Sequence, residues 1–502
     1  MTDAPSLRLG IIGAGAMGQG IAQVAVQNAV PVVMLDAAPG AAEAGRASVL
    51  QRIDRLAAKG RIEAGQADAA AAKALLRVAS GYADFAACDV VIEAVVERLD
   101  IKQAVFAELE TVVRDDAVLA SNTSSLSIGA IARACRRPAR VAGMHFFNPV
   151  PLMRLVEIVR APASADATIA ALTALAQRLG RTPITVKDTP GFLVNLGGRA
   201  LNTEALALLQ ENVATCAQID AILRDCGGFR MGPFELMDLT GMDVNFPVSE
   251  IVWSGYFNDP RLRSTPFHAA LFRSGRLGRK TGRGYYAYED GKPVVAAGAA
   301  DEAADGPLPD AVVIAEDDAL LRRLCEAAGV RVRDDDGRAP ILIAPWGEDC
   351  TEAVRRLGLD HRRLVAVDPS GDTERRVTLM TAPGADPAAR AAVAALARKA
   401  GRAVTAIADS PGFVTQRVCA MVMNLGCEIA QMGLAEPSAI DTAFQLGLNY
   451  PLGPLAMTDR WRPERVYRIV TTLQRITGDD RYRPSQWLRR RALLGLSALT
   501  PG

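Results

Sequence analysis

The chain has little with which to bind metal, nucleic acid or a membrane. It carries only three histidines, His145, His268 and His361, and they are too far apart to suggest a metal centre. Its eight cysteines are scattered without CxxC spacing, which argues against a disulfide framework and a zinc site and fits reduced thiols. The formal net charge is +1, so there is no bulk electrostatic case for nucleic acid or an anionic surface. No run reaches the ~20 apolar residues of a membrane span, and Met1–Leu9 lacks the apolar segment of a signal peptide. Together these absences predict a soluble cytoplasmic protein that needs no metal.

What is present is apolar bulk and glycine in telling places. Half of the 502 residues are apolar, enough for three or four compact units. Leu7–Ile12 reads as a buried parallel strand and runs directly into Gly13-Ala14-Gly15-Ala16-Met17-Gly18. A helix start follows at Gln19, and the next apolar run, Pro31–Leu35, ends at Asp36. Strand, glycine turn, helix and acid-terminated strand form a dinucleotide-binding fingerprint in its proper order. Gly13, Gly15 and Gly18 let the backbone turn and approach a pyrophosphate, with Ala16 and Met17 in the same loop, and the N-terminus of the helix that follows offers it free N–H groups. Asp36 is placed to accept hydrogen bonds from the adenosine ribose and to repel a 2′-phosphate, which favours NAD over NADP.

Further strands are expected at Val90–Glu93 and Ala117–Ala120, each followed by polar residues where a doubly wound sheet opens its crevice. From spacing alone, Glu97 and Lys102 read as a solvated helix face, and Ser121-Asn122-Thr123-Ser124-Ser125 as a helix cap and ligand site at once. Val141–Phe147 is a strand ending near His145, Asn148–Pro151 must turn, and Leu155–Val159 is the next strand with Glu157 inside it. A carboxylate in an apolar strand needs a partner. Two segments joined by a short turn lie side by side, so Glu157 reaches the His145 ring. The carboxylate fixes the tautomer and the other ring nitrogen exchanges a proton. A cofactor loop and such a dyad together point to a dehydrogenase.

Gly13–Gly18, Ser121–Leu126, His145–Pro151, Asp188–Asn195, Gly232–Leu236 and Gly278–Tyr286 resemble, in order and spacing, the L-3-hydroxyacyl-CoA dehydrogenase family over about residues 7–288. The resemblance implies NAD-dependent oxidation of an (S)-3-hydroxyacyl-CoA to the 3-oxoacyl-CoA, with hydride transfer to NAD. It implies that His145 and Glu157 are the catalytic dyad, that Ser124 and Asn195 lie near the reacting oxygen, and that Glu97, Lys102, Asn122, Asn148 and Lys280 line the NAD site. The family usually has Arg after the asparagine; here Leu196 follows and Arg199 is displaced. Lys59 and Arg61 are candidates for the CoA phosphates, with a solvated helix end as the plainer reading. Arg154, Arg199 and Arg230 are available should an acyl chain end in a carboxylate.

The chain also repeats itself with a shift of 221 residues. Asp188-Thr189-Pro190-Gly191-Phe192 recurs as Asp409-Ser410-Pro411-Gly412-Phe413, Gly232-Pro233 as Gly453-Pro454, and Asp238 as Asp459. The second copy has no glycine loop, Thr378 at the place of Glu157, Gln416 at that of Asn195, and no histidine around Val365–Asp368. The expected fold is an α/β Rossmann-type domain (1–186), an all-α domain (187–289), a linker (290–309), a degenerate partial α/β domain (310–407) and a second helical domain (408–502). The whole resembles bacterial 3-hydroxybutyryl-CoA or 3-hydroxyadipyl-CoA dehydrogenases with a second C-terminal domain, some of which serve aromatic-acid (phenylacetate) breakdown, others fatty-acid breakdown. Because helical domains of this family pair in dimers, the resemblance implies intramolecular pairing of the two helical domains, with a homo-oligomer also open. Two rivals remain: a dehydrogenase of a free hydroxy acid or sugar acid, and a non-catalytic NAD-binding structural protein on the same scaffold.

Overall fold

The computed structural model describes residues 7–62, 66, 69–303 and 306–502. Most of the Met1–Leu9 stretch and residues 304–305 of the expected linker lie outside the described residues. Two compact units make up the fold, Met1–Leu196 with Leu434–Leu448, and Gly197–Gly433 with Asn449–Gly502.

The first unit is built on eight strands: Leu9–Ile12 (β1), Val32–Leu35 (β2), Leu76–Val78 (β3), Val90–Glu93 (β4), Val118–Ser121 (β5), Val141–Phe146 (β6), Leu155–Arg160 (β7) and Thr182–Lys187 (β8). Their order across the sheet is β3-β2-β1-β4-β5-β6-β7-β8. All neighbours are parallel except β6 and β7. β1, β4 and β5 are buried along their whole length. That is why they read as continuous apolar runs rather than alternating ones. The helix Ala16–Gln27 leaves the glycine turn and sets Ile21, Val24 and Ala25 into one core with Ile11, Val32, Ile92 and Val156. β6 and β7 are joined by a tight connection containing a cis Asn148–Pro149 bond, and their antiparallel register places His145 opposite Glu157.

The second unit contains a hairpin, Ala287–Glu289 (β9) with Lys292–Val294 (β10), and a second sheet. Its strands are Ala311–Ile314 (β11), Arg331–Val332 (β12), Ile341–Ile343 (β13), Leu364–Val367 (β14), Arg376–Met380 (β15) and Ala403–Ile407 (β16), in the order β12-β11-β13-β14-β15-β16. With the 221-residue shift, β11, β13, β14, β15 and β16 repeat β4 to β8, including the single antiparallel pair, β14 with β15. β1, β2 and β3 have no counterpart among the described residues, and with them goes the glycine turn. The segment read as a linker is partly structured. Its start closes the β9–β10 hairpin, and its middle docks on β16, where Glu302 N donates to Val404 O at 2.7 Å and Thr405 Oγ1 to Ala300 O at 2.7 Å.

The two copies exchange a helix. The helix Pro437–Leu448 belongs in sequence to the second copy, yet packs in the first unit against β7. Lys187 N, ending β8, donates to Leu434 O at 3.0 Å. A Cβ at Gly447 would lie 2.9 Å from Leu155 Cδ2 and 3.0 Å from Val194 Cγ2, so a larger residue there would push these side chains aside. In the second unit the first copy's helix Cys216–Asp225 packs against β15, and Ala408 N, after β16, donates to Val213 O at 2.9 Å. These contacts correspond residue for residue under the 221 shift.

The helices Arg199–Gln210 and Thr415–Gln431 pack together in the second unit. Arg417, fully buried, bridges Glu204 Oε1 and Glu211 Oε2 at 2.7 Å each and donates to the Tyr482 hydroxyl at 2.7 Å. The 221-shifted counterparts of Arg417, Glu204 and Glu211 are Leu196, Leu425 and Met432. Arginine and both acids have thus been lost together at that related position. Arg199 does not replace the missing arginine locally; its Nη1 donates to Ser249 Oγ at 2.7 Å, and burial lowers its pKa to about 10.

At the inert position of the second copy, the residue facing Thr378 is Asp368, whose N donates to Thr378 O at 3.0 Å. Its buried carboxyl accepts from Ser370 Oγ at 2.6 Å and Gln416 Nε2 at 2.9 Å, and desolvation pushes its pKa up from 3.8 to about 6. The folded chain therefore holds this proton more tightly than the unfolded one. The stability this contributes is present in acid and is lost as pH rises through about 4 to 6. Asp368→Asn is expected to remove that slope and to be at least as stable as the parent above this window. Urea midpoints of both proteins across the window check this, and parallel curves would contradict it.

Candidate active site

In the first unit, the glycine turn is shaped by what each side chain would strike. Gly13 has φ of +105°, and a Cβ there would lie 2.5 Å from Ala94 O. A Cβ on Gly18 would lie 1.9 Å from Gly13 O, so both glycines are needed to fold the turn onto β4 and the helix. At Gly15 a Cβ would meet nothing within 4 Å. Its backbone faces open space at the helix N-terminus, where an anionic pyrophosphate would be received by free N–H groups. Asp36 closes β2 and accepts from Ala14 N at 2.7 Å and Ala38 N at 2.9 Å, which ties the acid to the loop. This cradle fits a dinucleotide.

Beyond β4 lies a charged cluster that the sequence shows only in part. Lys102 is buried, not on a solvated face: its Nζ bonds Glu93 Oε1 at 2.7 Å and Glu97 Oε2 at 3.2 Å. Glu93 itself, fully buried, also accepts from Ser121 Oγ at 2.6 Å and Val95 N at 2.7 Å. Sequence reading passed over Glu93, though a carboxylate ending an apolar strand is the same signal that marked Glu157. Glu97 Oε1 gathers Thr123 Oγ1 at 2.6 Å, Ser125 Oγ at 2.9 Å and Ser124 N at 3.0 Å. Burial opposes its charge, but these donors and Lys102 outweigh it and hold the Glu97 carboxyl below its ordinary pKa. The Ser/Thr cluster is thus organised around Glu97. The cap of the next helix, Ile128–Ala132, is Ser127, which accepts from Ala130 N. Asn122 Oδ1 accepts from Phe146 N at 2.8 Å, linking this loop to the strand of His145.

His145 Nδ1 stands 2.7 Å from Glu157 Oε2. The second carboxylate oxygen accepts from Leu193 N at 3.0 Å and Val194 N at 2.9 Å. With Nδ1 turned to the carboxylate as donor, Nε2 is left as the acceptor atom of the ring. Nε2 has no hydrogen bond among the described residues. Phe147 and Phe192 flank the ring at 4.4 Å and 5.8 Å. Asn195 Nδ2 reaches Ser124 O at 3.4 Å, bringing these two residues together. Asn148 is exposed at the turn after β6. Lys280 lies in the second unit, paired with Asp243 at 2.8 Å. Lys59 and Arg61 line a cleft of ≈ 450 Å³ in the first unit, with Arg52, Arg55, Gln27 and Arg181. Among the described residues, no helix is long and apolar enough to cross a membrane.

Comparison with known proteins completes the picture. A family model described as "3-hydroxyacyl-CoA dehydrogenase, NAD binding domain" matches residues 8–189. The companion "3-hydroxyacyl-CoA dehydrogenase, C-terminal domain" matches twice, over 191–288 and 412–498. The chain is 37% identical to 3-hydroxyadipyl-CoA dehydrogenase of Escherichia coli K12 over 96% of its own length and 97% of the relative's. It is 38% identical to a probable 3-hydroxybutyryl-CoA dehydrogenase of Deinococcus radiodurans, covering 56% of this chain and all of that one. A crystal structure of 3-hydroxybutyryl-CoA dehydrogenase from E. coli K12 superposes with a TM-score of 0.87 at 35% identity, covering 98% of this chain and 99% of that one.

Proposed function

The chain belongs to the 3-hydroxyacyl-CoA dehydrogenase family, and from that membership we propose how its own residues carry out the reaction. The protein is an NAD-dependent oxidoreductase acting on 3-hydroxyacyl-CoA, and the His145–Glu157 contact of 2.7 Å is the observation that carries the mechanism. NAD, when bound, supplies the two-electron acceptor. His145 Nε2 takes the proton of the substrate hydroxyl as the carbonyl forms, and Glu157 stabilises the imidazolium that results. Ser124 and Asn195 orient the reacting oxygen. Gly13, Gly15, Ala16, Met17, Gly18 and Asp36 hold the adenosine and pyrophosphate portion, and Glu97, Lys102, Asn122 and Asn148 complete the cofactor site in the first unit.

The ≈ 450 Å³ cleft lined by Arg52, Arg55, Lys59 and Arg61 suits the phosphates of CoA. With Arg181, five cations on one concave surface match a ligand with several negative charges. The acyl chain either ends in a methyl group as in 3-hydroxybutyryl or in a carboxylate as in 3-hydroxyadipyl, the two substrates in the names of the relatives. The setting is cytoplasmic catabolism of fatty or aromatic acids. Residues 1–186 and 187–289 form the catalytic pair of domains, and the repeat beyond the 290–309 segment acts as a scaffold for it.

The test is a panel of CoA thioesters, with and without a terminal carboxylate, alongside the free hydroxy acids, read by NADH absorbance. Thioesters should turn over far faster than free acids. Equal turnover of a free acid would favour the hydroxy-acid rival, and none at all the structural one. Because the Asp36 carboxylate sits where a 2′-phosphate would approach, kcat/KM should be clearly higher with NAD than with NADP. Equal values for the two cofactors would refute the role given to Asp36.

A further inference from the structure

The second copy has lost the reacting groups but has gained others. Trp346 follows β13 at the place Ser125 takes after β5. Its loop is fixed by Gln416, which accepts from Gly347 N at 2.8 Å and donates to Pro345 O at 3.0 Å. The Arg465 guanidinium lies 4.3 Å from the Trp346 ring centroid, and Trp461 meets Trp346 edge-on at 5.9 Å. Two adjoining clefts share Trp346 and Arg465. One, of ≈ 290 Å³, is completed by Arg462, Glu464 and Arg468, and the other, of ≈ 600 Å³, includes Arg460 and Trp461.

Positive charge outnumbers negative around Trp346, with Glu316 acting on Arg468 only as a longer-range charge. Among the described residues Arg460, Arg465 and Arg468 form no ion pair, and Arg462 has only exposed Glu464, 3.9 Å away. Burial lowers the Arg465 pKa, and repulsion by Arg462 and Arg468 lowers it further, with Asp318 opposing only in part. The acids of the larger cleft are Asp372 and Glu374; Glu374 is already paired with Arg402, and Asp372 accepts from Glu374 N. The first copy's counterparts of Trp346, Arg460, Trp461, Arg462, Arg465 and Arg468 are Ser125, Leu239, Thr240, Gly241, Val244 and Pro247. None is aromatic or basic, so the feature is peculiar to the second copy. Like charges held together beside stacking rings call for a planar ring carrying several negative charges.

We propose that this cleft is a second ligand site, which takes the phosphorylated adenosine end of CoA. The ring stacks on Trp346, and the arginines meet the phosphates. The choice of CoA rests on the reading that the enzyme handles CoA thioesters. NAD carries fewer charges, and the second sheet has no glycine turn to receive its pyrophosphate. Free CoA and an acyl-CoA present the same group and are the two sources.

Tryptophan fluorescence of the full chain tests the proposal, since two of its four tryptophans line the site. CoA is expected to change the emission in a saturable way. The double variant Arg465→Glu with Arg468→Glu should weaken this event by at least about tenfold. Turnover of CoA thioesters at low substrate concentration should stay as in the parent. Trp346→Leu, which keeps the charges, should weaken binding by about 5–100-fold, the range of a lost base–aromatic stack. It also serves if the charge-reversed protein fails to fold. A response to CoA and acyl-CoA alike supports reading of the nucleotide end alone. A response stronger with acyl-CoA supports the site with the acyl chain entering the larger cleft. Absence of any emission change, a change matched by inorganic phosphate at equal concentration, or one that survives both variants would overturn it. An intact response in a protein that turns over no thioester would instead count against the proposed activity alone.

Discussion

His145→Gln is expected to lower kcat by about 10²–10⁴-fold, the range for a lost general base, while NADH binds as before. Glutamine keeps a polar side chain near Glu157, so the buried carboxylate retains a hydrogen-bond donor, but nothing at the Nε2 position can take a proton. The glycine turn and Asp36 lie on other strands and are untouched. Near-normal turnover would falsify the dyad. Glu157→Gln is a less clean experiment. Glu157 also receives the Leu193 and Val194 N–H groups, and an amide oriented to serve them would present its NH₂ to His145. A loss there would mix chemistry with displacement of the Asn195 segment.

Ending the chain near Gly306 is expected to be more damaging than its distance from the glycine turn suggests. The missing part contains Leu434–Leu448, which belongs to the first unit. Lys187 would lose its acceptor at Leu434, and Leu155 and Val194 would lose the helix packed over them. Both flank the Glu157 interactions, one on β7 and the other in the segment that donates to the carboxylate. The cut also removes Arg417 and Arg481, both paired with Glu204, and bares that carboxylate on the face the missing Thr415–Gln431 helix covered. The shortened protein should aggregate, or pair through the bared face with another copy, and its activity should fall. Gel filtration with light scattering and a thioester assay decide this. A well-behaved monomer with full activity would remove the packing argument.

Much of this architecture can be read from the residues. The glycine turn is visible because strand, turn and helix signals are contiguous. The dyad is visible because a short turn forces two neighbouring strands into contact, and an acid inside an apolar strand needs a partner. Glu93 and Lys102 are harder. Nine positions separate them, and only the folded placement of the Leu99–Val112 helix brings a seemingly solvated lysine inward to Glu93. The repeat shows that two helical domains exist, but not that each lends a helix to the other copy's sheet, because related cores present equivalent apolar faces. Asp368 escapes a fixed 221-residue shift because β14 and β15 pair in a different register from β6 and β7, so the residue facing Thr378 is not the direct counterpart of His145. The arginines near Trp346 lie on a separate stretch of sequence, and nothing local announces where they meet.

The exchanged helices have a consequence for how the fold answers to dilution. When two copies on separate chains complete each other, their association obeys mass action, and the melting temperature falls as protein becomes scarce. Here the partner is tethered by the chain, so its effective concentration is set by the connecting segment rather than by expression level. Pairing of this kind is unimolecular: the midpoint of unfolding should be the same at nanomolar as at micromolar protein. The catalytic half keeps its complement even when the enzyme is rare. Released from any need to match itself, the other half is free to drift in sequence as long as its packing face endures.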